Sequence, residues 1–371
     1  MRVAVLTSSR ADFGIYMPLL VELRDDPFFC LEIIVFGTHL SEIHGYTIND
    51  IISSGFEASH LLETVPRCDS PEAIASSIGE TIKKFSLFWK EHKSNFDLIF
   101  CLGDRYEMFA SVIAGIPFQL KFAHIHGGEI TLGAIDNILR HSITLASKVH
   151  FAATYASAEV IGKLTGHNKH IFNVGSLSLD NIEKLKLLSL DEFCYKWKID
   201  LSIPTILTTF HPETVNFESN GEYAENLIAS IHKLDTYQFL VTMPNADTSS
   251  QIIRERFIQE FNDSKRVVLV ENLGAVSYFS AMKFCKLLLG NTSSGIIEAA
   301  SFGKYVINLG DRQKGREYGP NVFHIPIICD QIVNAVKRIE KSANPGRNNL
   351  YYNGGAANQI VKILKTIQSE I

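Results

Sequence analysis

At 371 residues, with 46% hydrophobic and 20% charged side chains, the chain has a globular composition and the length of two ordinary domains. A formal net charge of -5 excludes general nucleic-acid binding, which needs a basic surface to displace counterions from phosphates. A local basic pocket for one diphosphate remains compatible with it.

The opening run Met1-Arg2-Val3-Ala4-Val5-Leu6 is too short for a signal peptide and leads straight into a polar turn. No apolar stretch approaches membrane-spanning length. A cytoplasmic protein with no membrane partner is the expectation. Cys30, Cys68, Cys101, Cys194, Cys285 and Cys329 are scattered, with no close pair of the metal or redox kind. They read as reduced core residues in a reducing compartment.

Short apolar runs then alternate with longer segments of helical period, the pattern of βαβ units around parallel sheets. Val3 to Thr7, Leu31 to Phe36, Leu98 to Leu102, Phe122 to His126 and Val149 to Ala153 read as buried strands. Ile15 to Arg24, Pro71 to Lys93, Tyr106 to Ala114 and Asp136 to Lys148 read as the helices between them. Ser70 suits an N-cap, with Pro71 and Glu72 in the first turn. The rhythm lapses over Asn181 to Pro204, a charged segment with one short helix, and restarts. Thr205 to Phe210, Gln238 to Thr242, Val267 to Val270, Lys286 to Leu289 and Tyr305 to Leu309 form a second strand set. The reading is α/β with two Rossmann-like, doubly wound domains, residues 1–178 and 179–356. The last helical segment, 357–371, is expected to pack back onto the first.

Ligands of such sheets bind beyond the carboxyl ends of the strands, near helix N-termini. The residues following the strands are unusually polar: Thr7-Ser8-Ser9-Arg10, Gly103-Asp104-Arg105, Gly127-Gly128-Glu129, His211-Pro212-Glu213, Asn291-Thr292-Ser293-Ser294-Gly295 and Gly310-Asp311-Arg312. Gly290 to Gly295 lies between an apolar strand and a helix over Ile296 to Phe302. Its small residues let backbone N–H groups approach a phosphate. A Ser/Thr-capped helix without a ligand is the plainer alternative. Ile296 and Ile297 stand where a P-loop needs Lys and Ser/Thr, which argues against an ATPase. No Gly-x-Gly-x-x-Gly follows the first strand, which weakens a dehydrogenase reading. Glu298 suits a ribose hydroxyl or merely offsets the helix dipole. Arg312, Lys314 and Arg316 concentrate cations after the next strand, in a loop that suits an anion or simply solvent.

Asp104 is a candidate acid or base, a helix cap, or half of a surface ion pair. His124 and His126 alternate onto one strand face beside Glu129, which raises a metal reading. No further ligand shows in the local spacing, and paired histidines meeting an anionic substrate is preferred; no metal is expected. Asp136 and Arg140 stand one helical turn apart, the spacing of a structural ion pair. His211 opens the first loop of the second domain. Several carboxylates at one site let environment split their roles between acid and base. From physics alone, the reading stops at an enzyme acting on an anionic, nucleotide-linked substrate.

These motifs, in this order, resemble the hydrolysing UDP-N-acetylglucosamine 2-epimerases of sialic acid biosynthesis. The matching segments are Thr7-Ser8-Ser9-Arg10-Ala11-Asp12-Phe13-Gly14, Gly103-Asp104-Arg105-Tyr106-Glu107, His124-Ile125-His126-Gly127-Gly128-Glu129 and Asp136 with Arg140-His141-Ser142-Ile143-Thr144. Phe210-His211-Pro212-Glu213, Asn291-Thr292-Ser293-Ser294-Gly295 and Gly310-Asp311-Arg312-Gln313-Lys314-Gly315-Arg316 complete the set. The resemblance implies a glycosyltransferase-B-type architecture with an interdomain cleft, a homodimer or homotetramer, a UDP-sugar as substrate and no cofactor. It implies that Arg10, Arg105, Ser293, Ser294, Gly295, Glu298, Arg312 and Arg316 bind the UDP-sugar, with His211 facing the diphosphate and counted among the catalytic residues. Asp104, His126, Glu129 and Asp136 then surround the sugar. Some relatives of this kind carry a carboxylate where this chain has His126, so either His126 or Glu129 shares the proton transfers with Asp104 and Asp136. The implied reaction converts UDP-N-acetylglucosamine and water to N-acetylmannosamine and UDP. A close rival substrate is UDP-2,4-diacetamido-2,4,6-trideoxyglucose, and a non-enzymatic rival is a nucleotide-sugar-binding protein.

Overall fold

Seven parallel strands build the first sheet of the computed structural model: β1 (Arg2–Thr7), β2 (Cys30–Phe36), β3 (His60–Leu62), β4 (Leu98–Leu102), β5 (Phe122–Ile125), β6 (Val149–Ala152) and β7 (Ile171–Asn173). Six more build the second: β8 (Thr205–Thr209), β9 (Gln238–Thr242), β10 (Val267–Val270), β11 (Leu287–Gly290), β12 (Tyr305–Leu309) and β13 (Val322–Ile325). The structure describes residues 1–42, 45–64, 70–244 and 250–371; Cys68 lies outside them. Strands covered by helices on both faces read as near-continuous apolar runs. β4, Leu-Ile-Phe-Cys-Leu, is buried throughout, and so are β8 and β9 despite their threonines.

The first sheet runs β3-β2-β1-β4-β5-β6-β7 and the second β10-β9-β8-β11-β12-β13. In each, the order reverses beside its first strand, between β1 and β4 and between β8 and β11. Crevices open beyond the carboxyl ends of strands at such reversals.

By contacts the chain forms two compact units. One holds Met1–Glu129, Asp136–Glu183 and Tyr351–Ile371; the other holds Ile130–Ile135 and Lys184–Leu350. Residues 130–135 thus group with the second unit, and residues 351–371 with the first. The core of the first includes Leu19, Leu20 and Leu23 of the helix Arg10–Asp25 packed with Ile360 and Leu364 of the helix Ala356–Ile367. That last helix begins at Gly355, which has no side chain to cap it. Asp180 does so instead, accepting from Ala356 N at 3.0 Å and Ala357 N at 2.8 Å.

Local signals hold where capping chemistry is explicit. Ser70 accepts from Ala73 N at 3.2 Å ahead of the helix Pro71–His92. Within the charged lapse, Ser189 and Glu192 close a capping box on the helix Leu190–Trp197.

Elsewhere the structure differs from the sequence reading. β3 and β7 are three-residue edge strands, and β13 is only partly buried, so none has a continuous apolar run. β5 ends at Ile125, because His126 turns into the left-handed region with φ 62°. The alternation that would put His124 and His126 on one face therefore stops between them. The helix over Ile296 to Phe302 is instead one α turn, Ser293–Ile297, followed by a 3-10 turn, Ala299–Phe302; Thr292 caps it by accepting from Ser294 N at 3.3 Å. Of the cysteines, Cys101 and Cys285 are core residues, Cys194 and Cys329 are half-buried and Cys30 is exposed. Among the described residues, no helix is long and apolar enough to cross a membrane.

Asp180→Ala removes the side-chain acceptor of Ala356 N and Ala357 N. The expected loss is about 1–2 kcal/mol, read as faster amide exchange in the helix Ala356–Ile367 and a lower thermal midpoint.

Candidate active site

In the first unit, polar groups gather beyond β1, β4 and β5. After β1 the chain turns directly into a helix. Ser8 N and Oγ donate to Asp12 Oδ2 at 3.0 and 2.6 Å, while Ser9 Oγ accepts from Asp12 N at 3.3 Å. Asp12 is therefore consumed in shaping the turn. Arg10, half exposed, pairs with Asp50 at 3.2 Å. Arg105 is mostly buried and donates to Glu107 Oε1 at 2.9 Å, with Glu107 wholly buried.

Beyond β4, Gly103 takes a positive φ of 72° and Asp104 follows it. Arg140 reaches Asp104 from the helix Asp136–Ala146. Its guanidinium is buried, ion-pairs with Asp104 Oδ2 through Nη2, and donates from Nη1 to the Glu129 carbonyl at 2.9 Å. A buried guanidinium needs partners on several sides. Arg140 finds them in Asp104 and in the turn after β5, which brings those two segments together. Asp136, half-buried, begins the same helix one turn earlier.

The two histidines of the β5 segment have different tasks. His124 is fully buried; its Nε2 lies 2.8 Å from the Gly103 carbonyl and its Nδ1 3.1 Å from Thr144 Oγ1. A carbonyl can only accept, so Nε2 carries the proton and the Thr144 hydroxyl donates to Nδ1. Burial pulls the His124 pKa down to about 4, leaving a neutral ring that braces the turn carrying Asp104. His126 instead contacts Glu129 Oε1 through Nδ1 at 2.7 Å and Ser176 Oγ through Nε2 at 3.3 Å. Among the described residues no cluster of three or more His, Cys, Asp or Glu is disposed to hold a metal ion.

The second unit has its own cluster beyond β8, β11 and β12, adjacent strands in the sheet. His211 N donates to Asn291 Oδ1 at 2.7 Å, and Asn291 Nδ2 donates back to the His211 carbonyl at 2.8 Å. This reciprocal pair spans the order reversal of that sheet. Gln313 Nε2 donates to the Asn291 carbonyl at 2.8 Å, and Asp311 N donates to Glu213 Oε1 at 2.6 Å. Burial raises the Glu213 pKa against the opposing effect of its bond from the Asp311 amide. Together these bonds hold the loops at 211–213, 291–295 and 310–316 as one body. Around it, Ser293 is exposed, Ser294 half-buried, and Gly295, Glu298 and Arg316 buried. The segment 130–135 is tied to the same body: Leu132 N donates to the Lys314 carbonyl at 2.8 Å, and Ile135 N to Thr214 Oγ1 at 3.1 Å. Gly133 is needed there, since a Cβ would run into the Asp311 carbonyl.

The structure thus brings Asp104, Glu129 and His126 into one network through Arg140, with Asp136 on the same helix. It groups His211, Asn291 and residues 311–316 in another. Ser176, Gln313 and the bridging role of Asn291 escape a sequence reading: Ser176 follows β7, a strand too short to announce itself, and polar bridges between distant loops leave no periodic trace.

The fold is glycosyltransferase-B-like, as in the crystal structure of UDP-GlcNAc 2-epimerase from Neisseria meningitidis bound to UDP-GlcNAc. That chain superimposes with a TM-score of 0.83 at 19% identity, covering 99% of this chain and 100% of its own. A family model described as UDP-N-acetylglucosamine 2-epimerase matches residues 21–365, and the chain belongs to that family. It is 30% identical to UDP-N,N'-diacetylbacillosamine 2-epimerase (hydrolyzing) of Legionella pneumophila, over 99% of this chain and 96% of the relative. It is 32% identical to polysialic acid biosynthesis protein P7 of Escherichia coli, over 98% of this chain and 93% of the relative.

Burial holds His39 and His124 at pKa values of about 4, and His150 at about 3, against an ordinary 6.5. The unfolded chain binds protons at these sites that the folded chain refuses, so unfolding is favoured as pH falls. Their contribution is complete above pH 6.5 and is lost progressively toward pH 4 to 3, by up to about 1.4 kcal/mol per pH unit for each histidine. Denaturant midpoints measured from pH 7.5 to 4 should fall with that slope. His150→Leu, which removes a ring with neither nitrogen bonded to a described residue, should flatten the slope by about one proton.

Proposed function

We propose that this protein is a hydrolysing 2-epimerase that converts UDP-N-acetylglucosamine and water to N-acetylmannosamine and UDP. The observation that carries the reading is the buried Arg140, which joins the Asp104 carboxylate to the Glu129 turn and so assembles an acid–base set on one unit. A pure binder of an anionic ligand gains nothing from carboxylates massed in this way.

The reaction asks for two things. In the first step C1–O of the sugar breaks as UDP leaves, the C2–H bond breaks to a base, and a C1=C2 bond forms, giving a glycal. Water then adds its oxygen to C1 while a proton reaches C2 from the opposite face. The C2 hydrogen is not acidic, so C1–O cleavage runs ahead and positive charge develops on the ring. The leaving diphosphate then needs fixed donors. The amides and hydroxyls of Ser293, Ser294 and Gly295, with His211, Arg312 and Arg316, are assigned to it, and Glu298 to the ribose. Proton transfer needs carboxylates in distinct environments. Asp104, paired with Arg140, suits an acceptor, and Asp136, half-buried at a helix start, is assigned the complementary transfer. The His126–Glu129 pair assists.

A second reading keeps the chemistry and changes the sugar. The Legionella relative is named for UDP-N,N'-diacetylbacillosamine, the 2,4-diacetamido-2,4,6-trideoxy sugar. This favours that donor as the alternative substrate.

Both UDP-sugars incubated side by side and followed by proton NMR separate the readings: N-acetylmannosamine with UDP is expected from the first, and turnover of the second donor alone would transfer the assignment. In D₂O under single-turnover conditions the product should carry deuterium at C2. Full retention of the substrate hydrogen there contradicts a solvent-exchanging base. Asp104→Asn is expected to lower kcat by about 10²- to 10⁴-fold, with UDP binding by calorimetry unchanged.

A further inference from the structure

The turn after β5 carries an arrangement that the proposed reaction does not by itself require. His126 is a non-glycine residue in the left-handed region, a conformation costing about 1–2 kcal/mol. That conformation aims its imidazole between two buried partners. Nδ1 meets Glu129 Oε1 at 2.7 Å and Nε2 meets Ser176 Oγ at 3.3 Å; Ser176 Oγ in turn lies 3.0 Å from Ser178 Oγ. Ser176 is 1% exposed. A carboxylate only accepts, so Nδ1 carries a proton, and in the neutral ring Nε2 presents a lone pair. The Ser176 hydroxyl then donates to Nε2, and Ser178 can donate to Ser176.

Ser176 is itself held from behind. Its amide donates to the Tyr351 carbonyl at 2.9 Å, and Gly175 precedes it with φ 85°, where a Cβ would stand 2.9 Å from that same carbonyl. The segment that returns to the first unit ahead of its last helix therefore sets the height of the serine beneath the histidine.

We infer that Ser176 is a positioning residue of the active site: its hydroxyl locks the His126 imidazole as the Nδ1–H tautomer and so holds the His126–Glu129 pair in a single geometry for proton transfer. The hold on the ring is a property of the fold alone. Its effect on turnover rests on the 2-epimerase reading given above. A histidine tied at one nitrogen alone can rotate or exchange its proton between nitrogens, and an orienting partner removes that freedom.

The test uses protein labelled with ¹⁵N-histidine and long-range proton–nitrogen correlation, the His126 signals being those lost in His126→Asn. The wild-type protein should show one neutral His126 tautomer, protonated at Nδ1. Ser176→Ala should give a mixture of tautomers and a kcat lower by about tenfold or more, with KM within about twofold. Ser176→Thr, which keeps the hydroxyl, should restore both signals and rate. Where Ser176→Ala does not fold, Ser176→Cys, a weaker donor of similar size, should show the same changes at smaller amplitude. An Nε2–H tautomer in the wild type, or unchanged His126 signals and kcat in Ser176→Ala and Ser176→Cys, would overturn the inference. If the tautomer responds as expected while neither UDP-sugar is consumed by the wild type, the epimerase reading falls and the hold of Ser176 on the ring stands.

Discussion

A guanidinium buried in a protein interior is tolerable only when its charge is paired, and Arg140 turns Nη2 to Asp104 and Nη1 to the Glu129 carbonyl. Most of the first unit's candidate chemistry follows from this single constraint. Asp104 is delivered by β4, Glu129 by the turn after β5 and Arg140 by the helix that Asp136 begins. β4 and β5 are neighbours in the sheet, and one cation from the helix Asp136–Ala146 ties the segments that follow them. His124 reinforces the arrangement as a neutral brace, bonded to the carbonyl that precedes Asp104. Truncating Arg140 would take a partner from both the Asp104 carboxylate and the Glu129 carbonyl, so its part in stability and its part in ordering the candidate site are inseparable.

In the second unit a neutral side chain joins the loops. Asn291 has both a donor and an acceptor on one short side chain, and it satisfies both backbone groups of His211 across the sheet's order reversal. A neutral amide suits this place. It stiffens the loops while adding no charge where an anionic diphosphate is proposed to sit. The cations are left to the neighbouring segment 311–316, fastened to the same loops through Gln313 and Glu213.

Much of this architecture could be read from residue order, for reasons that also mark the limit of such reading. Strands buried on both faces are near-continuous apolar runs, so Leu98–Leu102, Gln238–Thr242 and Tyr305–Leu309 stand out within a residue of their ends. Edge strands such as His60–Leu62 and Ile171–Asn173 lack such a run and leave no mark. Polar residues after strands flagged Asp104, Glu129 and His211 because ligand sites favour those positions. The partner of Asp104 was hidden, since Arg140 has a nearer candidate in Asp136 at ideal helical spacing. The left-handed turn at His126 was hidden too, because only glycine advertises that conformation. Ser176 combined both difficulties, following an illegible strand and acting through a long-range contact.

The first unit is assembled from stretches at opposite ends of the chain, Met1–Glu183 without 130–135 and then Tyr351–Ile371, while nearly all of the second lies between them. On a ribosome, the usual order in which the amino-terminal module matures first cannot apply in full. The sheet β1–β7 can form early, but the apolar surface of the helix Arg10–Asp25 that receives Ile360 and Leu364 stays uncovered until the second unit has been synthesised. Over that interval the nascent protein exposes a sticky face and lacks the backbone carbonyl that supports Ser176. Completion of the first unit therefore waits until residues 351–371 have followed the whole of the second.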